Sequence, residues 1–244
     1  VGAYSPFPED DPDRPVDESW PTHAVPDAAY GTQKSYVERM LDALELANPS
    51  MRVVRMRSAF VFQVPAAPEQ RRIFAGPFLP GKLVASGKLP VLPVPTGLRF
   101  QTVHADDLAA AYAAAVLAPV RGAVNIAADP VVRAEDLGRM LDARVVELPR
   151  GLTGAGMATA FRLRLAPAEP GLLSLFLSLP VMDASRARVE LGWAPQHSSL
   201  DALESFFAGL RNPEGGATPP LDPATSGPGR VREVAAGVGQ GEVR

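Results

Sequence analysis

The stretch AYGTQKS, Ala29 to Ser35, sets Tyr30 and Lys34 four residues apart. On a helix that spacing makes the two side chains neighbours on one face. A tyrosine hydroxyl titrates near ~10 and acts as a base at neutral pH only where a nearby cation favours the phenolate. Lys34 would supply that cation. A phenol tuned in this way can take a proton from a substrate hydroxyl while hydride leaves the same carbon for a nicotinamide. The plainer alternative is a half-buried Tyr beside a solvated Lys. With only four Tyr and three Lys in 244 residues, however, the pairing is uncommon by chance.

The elements around the pair follow from periodicity and punctuation. Apolar Ala29, Tyr36, Val37, Met40, Leu41 and Leu44 fall near helical spacing and predict a helix from Asp27, a capping residue, to about Ala47. The Pro- and Asp-rich stretch 5–26 before it reads as a surface loop holding Trp20 and His23. After Asn48-Pro49-Ser50, MRVVRMRSAFVF (51–62) reads as a buried strand running into an extended segment. A loop-dominated region to about Pro95 follows, with a short helix near 69–74. Strands are then predicted at 98–103, 123–127 and 144–148. Helices are predicted at 106–117, 134–141, 149–165, 172–179, 184–191 and 199–210. This alternation indicates a mainly parallel α/β architecture with covered sheet faces.

Composition narrows the function classes. With 46% apolar residues the chain can bury a core, and a net charge of -3 without a basic run disfavours nucleic acid or an anionic membrane as partner. There is no cysteine, so disulfides and thiolate chemistry are excluded. The apolar run 171–182 is broken by Ser174, Ser178 and Pro180, well short of the ~20 residues of a membrane span. A cytoplasmic location is the default expectation. The chain opens on VGAY, which reads as the end of a strand, so a fragment or processed product is expected. From 213 to 244, 12 of the 32 residues are Gly or Pro and none is aromatic, and this tail is expected to be disordered. The organisation expected is therefore 1–212 folded and 213–244 a tail.

Five stretches in order resemble the extended short-chain dehydrogenase/reductases, the NAD-dependent epimerase/dehydratases. They are VGAY with its acidic loop VDESWP (16–21) and AYGTQKSYVERML (29–41), then RMRSAFVF (55–62), TVHADDLAAAY (102–112), NIAADP (125–130) and DASRARVELGWAP (183–195). The resemblance implies the second half of a Rossmann-like doubly wound parallel sheet, incomplete in this chain, with a small and mostly helical substrate-binding part. It implies NAD or NADP as cofactor and a small-molecule substrate, and it leaves room for a homodimer. Tyr30 becomes the catalytic acid/base. Lys34 becomes the residue that hydrogen-bonds the nicotinamide ribose and favours the Tyr30 phenolate. The backbone at Ala59, Phe60 and Val61 faces the nicotinamide carboxamide, and Arg57 holds the loop near the cofactor.

The chain also departs from the family pattern. The family's catalytic Ser or Thr would fall one residue before Val1, with Ser5 and Thr22 as weak substitutes. No Gly-rich pyrophosphate turn follows a strand, so the chain by itself is expected to bind NAD(P) poorly and to be inactive. Where nucleotide-sugar members carry diphosphate-gripping arginines, this chain has Phe100, with Arg99 one residue off, and Ala168-Glu169. The apolar PGLLSLFLSLP (170–180) fits a less polar substrate as well as it fits core. No metal site is expected at His104-Ala105-Asp106-Asp107, because Asp106 reads as a helix cap and Asp107 as a first-turn residue. His23 is read as solvated, and His197, in a polar turn before the last helix, as needing no function. The leading expectation is an NAD(P)-dependent oxidoreductase acting on an alcohol or ketone. A nucleotide-sugar epimerase or dehydratase and a non-catalytic NAD(P)-sensing or partner-binding protein stand as alternatives.

Overall fold

The computed structural model describes residues 2–70, 90–163 and 170–212; the tail 213–244, Ala168-Glu169 and most of the short helix expected near 69–74 lie outside them. In chain order the elements are α1 (Ala29–Ala47), β1 (Val54–Ser58), β2 (Phe60–Phe62), a 3-10 turn (Val64–Ala66), β3 (Val91–Pro95), β4 (Arg99–Phe100) and β5 (Thr102–His104). They continue with α2 (Ala105–Leu117), β6 (Gly122–Ile126), β7 (Val132–Arg133), α3 (Ala134–Met140), β8 (Arg144–Leu148), α4 (Arg150–Arg162), α5 (Pro170–Ser178), α6 (Ser185–Leu191) and α7 (Ser199–Arg211). β1 pairs with β6 and β3 with β8 in parallel, and strands alternate with helices, the arrangement of part of a Rossmann-like α/β sheet. None of the described helices is long and apolar enough to cross a membrane.

The described residues group into two compact units. The first draws on 2–61, 99–132 and 174–202. Its ladder joins β1 to β6 from Val54↔Gly122 to Ser58↔Ile126, and Val16 bridges Met182. Tyr4, Val103, Ala111, Val124, Ile126 and Trp193 lie in its core. Gly192, at φ 62°, takes the left-handed turn that ends α6 and leads into Trp193, a conformation a side-chain-bearing residue adopts only at a cost. The Trp193 indole is satisfied by a 2.8 Å hydrogen bond to the Asp107 carbonyl.

Among the described residues the second unit draws on 62–70, 90–98, 133–163, 170–173 and 203–212. Here β3 pairs with β8 in parallel, Val91↔Arg144 to Pro95↔Leu148. This strand lies within a stretch expected to be loop. Pro93 and Pro95 obscured it, since proline cannot donate to a ladder and is tolerated only where its ring faces away from one. The strand expected at 98–103 is also divided, between β4 and β5. Gln101 separates them, because its buried side-chain amide pairs with the Met182 backbone in both directions, at 3.1 and 2.7 Å.

Candidate active site

α1 presents the Tyr30/Lys34 pair in an unusual way. Of its 19 residues only Gly31 and Glu38 are buried, whereas Tyr36, Val37, Met40 and Leu44, whose spacing announced the helix, are exposed. The helix turns its polar anchor inward and its apolar residues outward. Tyr30 is 49% exposed and the Lys34 ammonium stands 5.5 Å from the Tyr30 ring centroid, so phenol and cation share one open face. Gly2 lies close against the ring, where a Cβ would come within 2.7 Å of Tyr30 Cε1.

The inward anchor is a fork. Arg57 Nε and Nη2 donate to Glu38 Oε1 and Oε2 at 3.0 and 2.9 Å, with both residues buried. The same guanidinium donates to the Glu18 carbonyl at 2.9 Å and to the Tyr4 hydroxyl at 3.0 Å. Tyr4 in turn donates to Asn125 Oδ1 at 2.6 Å. The Asn125 side chain donates to the carbonyls of Val16 and Asp183, and its backbone N–H donates to Glu18 Oε1. Burial pushes the Tyr4 hydroxyl up to about 12, with Arg57 pulling the other way. Burial also works against the Arg57 charge, but Glu38 and Tyr4 outweigh it and hold the guanidinium above its ordinary range. Arg57, expected to hold the loop near the cofactor, thus ties the acidic loop to α1 and to β6.

Ala59, Phe60 and Val61 lie where the chain changes ladder. The Ala59 N–H donates to Ile126 O at 2.8 Å and the Phe60 N–H donates to Gln101 O at 3.2 Å. The Phe60 ring meets Phe176 at 5.0 Å, and Phe100 meets Phe176 at 5.2 Å. Leu175, which precedes Phe176 in the chain, lies beside Gly2 and Gly31. Phe100 therefore supplies a ring where nucleotide-sugar members of the resembled family carry charge. Arg99 is buried elsewhere, over the Phe7 ring at 4.2 Å and on the Pro12 carbonyl at 3.1 Å.

The loop 5–26 is fastened along its length. Ser5 Oγ accepts from the His23 N–H, and Thr22 accepts from Arg39 through its hydroxyl and its carbonyl. Both hydroxyls thus hold the loop in place. At α2 the cap is His104, whose Nδ1 accepts the Asp106 N–H, rather than the expected Asp106. Asp107 is buried and accepts the N–H groups of Gln196 and His197 at 2.9 and 3.0 Å together with the His197 ring. Burial would raise its carboxyl, yet these donors hold it below the usual carboxylate range. His197, read as a polar-turn residue in need of no function, is engaged there and stacks on His104 at 4.2 Å between centroids. Among the described residues no group of three or more acidic or histidine side chains is placed to hold a metal ion.

Glu38, Gly2, Tyr4 and Asn125 were not singled out by sequence reasoning. Glu38 carried only a weak signal, a carboxylate in the middle of a predicted helix whose apparent partner was Lys34 four residues before it.

No family model matches the chain. It is 30% identical over 200 residues to a UDP-glucose 4-epimerase of Neisseria meningitidis, covering 75% of this chain and 54% of that protein. It therefore spans about half the length of the curated relatives it matches. Among solved structures, it superposes on the UDP-glucose 4-epimerase of Thermus thermophilus in complex with NAD with a TM-score of 0.56, at 17% identity and over 87% of this chain and 62% of that one. It superposes on RMD from Pseudomonas aeruginosa complexed with NADPH with a TM-score of 0.54, at 13% identity and over 86% and 63% of the two chains. At those identities the superpositions speak for the fold, and the Neisseria relative supplies the likeness in sequence. With the Tyr-x-x-x-Lys helix, the ordered motifs and the parallel α/β fold, they make the chain similar in sequence and fold to the extended short-chain dehydrogenase/reductases, the NAD-dependent epimerase/dehydratase family.

Proposed function

We propose that this chain carries the proton-transfer half of an NAD(P)-dependent reaction at an alcohol or ketone carbon, with Tyr30 as acid/base and Lys34 as its cationic partner. The observation that carries the reading is the exposed phenol with an ammonium 5.5 Å from its ring on a helix anchored from behind. The residues present suit the nicotinamide-ribose end of the cofactor. A phenol and an ammonium on one open face can meet ribose hydroxyls, and the Ala59 to Val61 backbone lies at a ladder change beside the Phe60 ring. When bound, the nicotinamide supplies the hydride acceptor or donor. Tyr30 takes the proton from the substrate hydroxyl in oxidation and returns it in reduction, and Lys34 favours the deprotonated phenol. NAD and NADP both remain within the proposal, since neighbours of the fold are complexed with NAD and with NADPH.

On the substrate side, Phe60, Phe100 and Phe176 favour an unphosphorylated alcohol or ketone. A second reading, nucleotide-sugar 4-epimerisation, is favoured by the name of the Neisseria relative. A second copy of the chain is also proposed as a partner, supported by the apolar side chains that α1 leaves exposed.

The test uses the whole gene product with NAD+ or NADP+, offered a panel of secondary alcohols and, separately, UDP-glucose. Oxidoreduction accumulates reduced nicotinamide, whereas epimerisation returns the hydride and yields the 4-epimer without net reduction. In either case Tyr30→Phe is expected to lower turnover by ~10²–10⁴-fold. Turnover unchanged by Tyr30→Phe would overturn the assignment.

A further inference from the structure

We infer that Glu38 and Arg57 are positioning residues, and that their buried fork sets the rotation of α1 about its axis and thereby aims Tyr30 and Lys34. The inference rests on the acid/base reading above.

Apart from bonds from Ser35 and Arg39 to Thr22 of the loop, few contacts hold the helix. Gly31 and Glu38, two turns apart, are its only buried residues. At Gly31 the contact is close packing, since a Cβ there would meet the Gly2 carbonyl at 2.9 Å and the Ala24 Cβ at 3.2 Å. Packing of this kind fixes distance from the segments before the helix but leaves rotation soft. At Glu38 the contact is directional, two parallel N–H···O bonds from a planar guanidinium, satisfied in one orientation. Arg57 cannot follow a turning helix, because its other donors hold the Glu18 carbonyl and the Tyr4 hydroxyl. Arg55 adds a longer contact to Glu38 Oε2 at 3.4 Å and otherwise pairs with Asp42 and, at 3.4 Å, with Glu45, carboxylates more exposed than Glu38 that constrain the helix less.

Lys34 and Tyr30 lie four and eight residues before Glu38, so a rotation at Glu38 is passed to both without loss. Side chains reach ~5–6 Å from a helix axis, and a turn of ~10° moves such a tip by ~1 Å. A misplacement of ~1 Å can cost ~100-fold in rate. A buried ion pair gives little net stability compared with apolar packing of the same volume, so orientation is what this one contributes.

The experiment reads the helix face directly. The chain contains four tyrosines, so labelling with 3-fluorotyrosine gives a fluorine spectrum in which Tyr30 is assigned by Tyr30→Phe. In Glu38→Gln and in Arg57→Lys, which keeps the charge but loses the fork, the Tyr30 resonance is expected to shift or split. Tyr112 on α2 and the cooperativity of thermal unfolding should stay as in the parent, and Glu45→Gln should leave Tyr30 where it was. In the whole gene product, assayed with NAD+ and UDP-glucose or the secondary alcohol it oxidises, both variants should lose ~10–100-fold in kcat with KM within ~2-fold. If Glu38→Gln does not fold, Arg57→Lys carries the comparison. A Tyr30 resonance that stays in place in either folded variant overturns the inference. A resonance that moves while Tyr30→Phe retains full turnover instead overturns the functional reading and leaves the positioning intact.

Discussion

Tyr30 rests against Gly2 so closely that a Cβ on residue 2 would stand 2.7 Å from Tyr30 Cε1 and 2.9 Å from Cδ1. The atoms in conflict belong to a half-exposed side chain that can swing away. Gly2→Ala should therefore cost little stability, under ~1 kcal/mol, while displacing the phenol. Turnover of the whole gene product is expected to fall by ~10-fold or more with an almost unchanged unfolding midpoint. A variant with parental turnover would show that the ring does not need this seat.

Gly31→Ala should behave in the opposite way. Inside a helix this change ordinarily stabilises, by up to ~1 kcal/mol. Here the new methyl would meet backbone, the Gly2 carbonyl at 2.9 Å, and the Ala24 Cβ at 3.2 Å, neither of which can rotate aside. The net outcome expected is a loss of ~1–3 kcal/mol, measured by urea unfolding. A gain in stability would mean that α1 can lift off the loop at little cost.

Tyr4 gives the protein an alkaline limb. Burial pushes its hydroxyl up to about 12, whereas the unfolded chain releases the proton near ~10. The unfolded state therefore binds fewer protons over that interval, and stability is lost as pH rises through it. The Tyr4 contribution is complete below ~10 and gone above about 12. The difference between parent and Tyr4→Phe should be constant at neutral pH, at ~1–3 kcal/mol because Asn125 Oδ1 loses its buried donor, and should shrink over that window. Urea midpoints measured across pH test this; a difference that holds constant through the window would contradict it.

Asp107 gives the acid limb with the opposite sign. Burial raises its carboxyl, but the N–H groups of Gln196 and His197 and the His197 ring lower it more, so its folded value lies below the ordinary ~4. Its contribution is present above ~4 and is lost as pH falls through the folded value. Asp107→Asn should cost ~1.5–3 kcal/mol at neutral pH, the worth of hydrogen bonds to a charged acceptor, and much less under strong acid. An equal cost at both ends of the pH range would assign its role to shape and not to charge.

The pairing of Tyr30 with Lys34 was legible because helical periodicity needs only local spacing, and the parallel α/β architecture was legible because strands and helices alternate along the chain. Other features were hidden for identifiable reasons. The strand Val91–Pro95 carries prolines that read as breaks. The split at Gln101 depends on Met182, 81 residues away. The apolar residues that announced α1 are not the ones it buries. Periodicity reveals that a helix has two faces, but which face turns inward depends on what meets it.

By itself the sequence determined the helix that bears the phenol and the ammonium, their separation along it, and the glycine between them. It also set the family motifs and their order. Only the tertiary structure decided that Glu38 turns inward to Arg57, that Tyr4 reaches Asn125 across 121 residues, and that Gly2 seats the Tyr30 ring. The physical reason is range. Spacing on a helix is a local property, set by backbone geometry over a few residues. The rotation of that helix against the sheet is set by directional hydrogen bonds and close packing among groups that only the folded chain brings together.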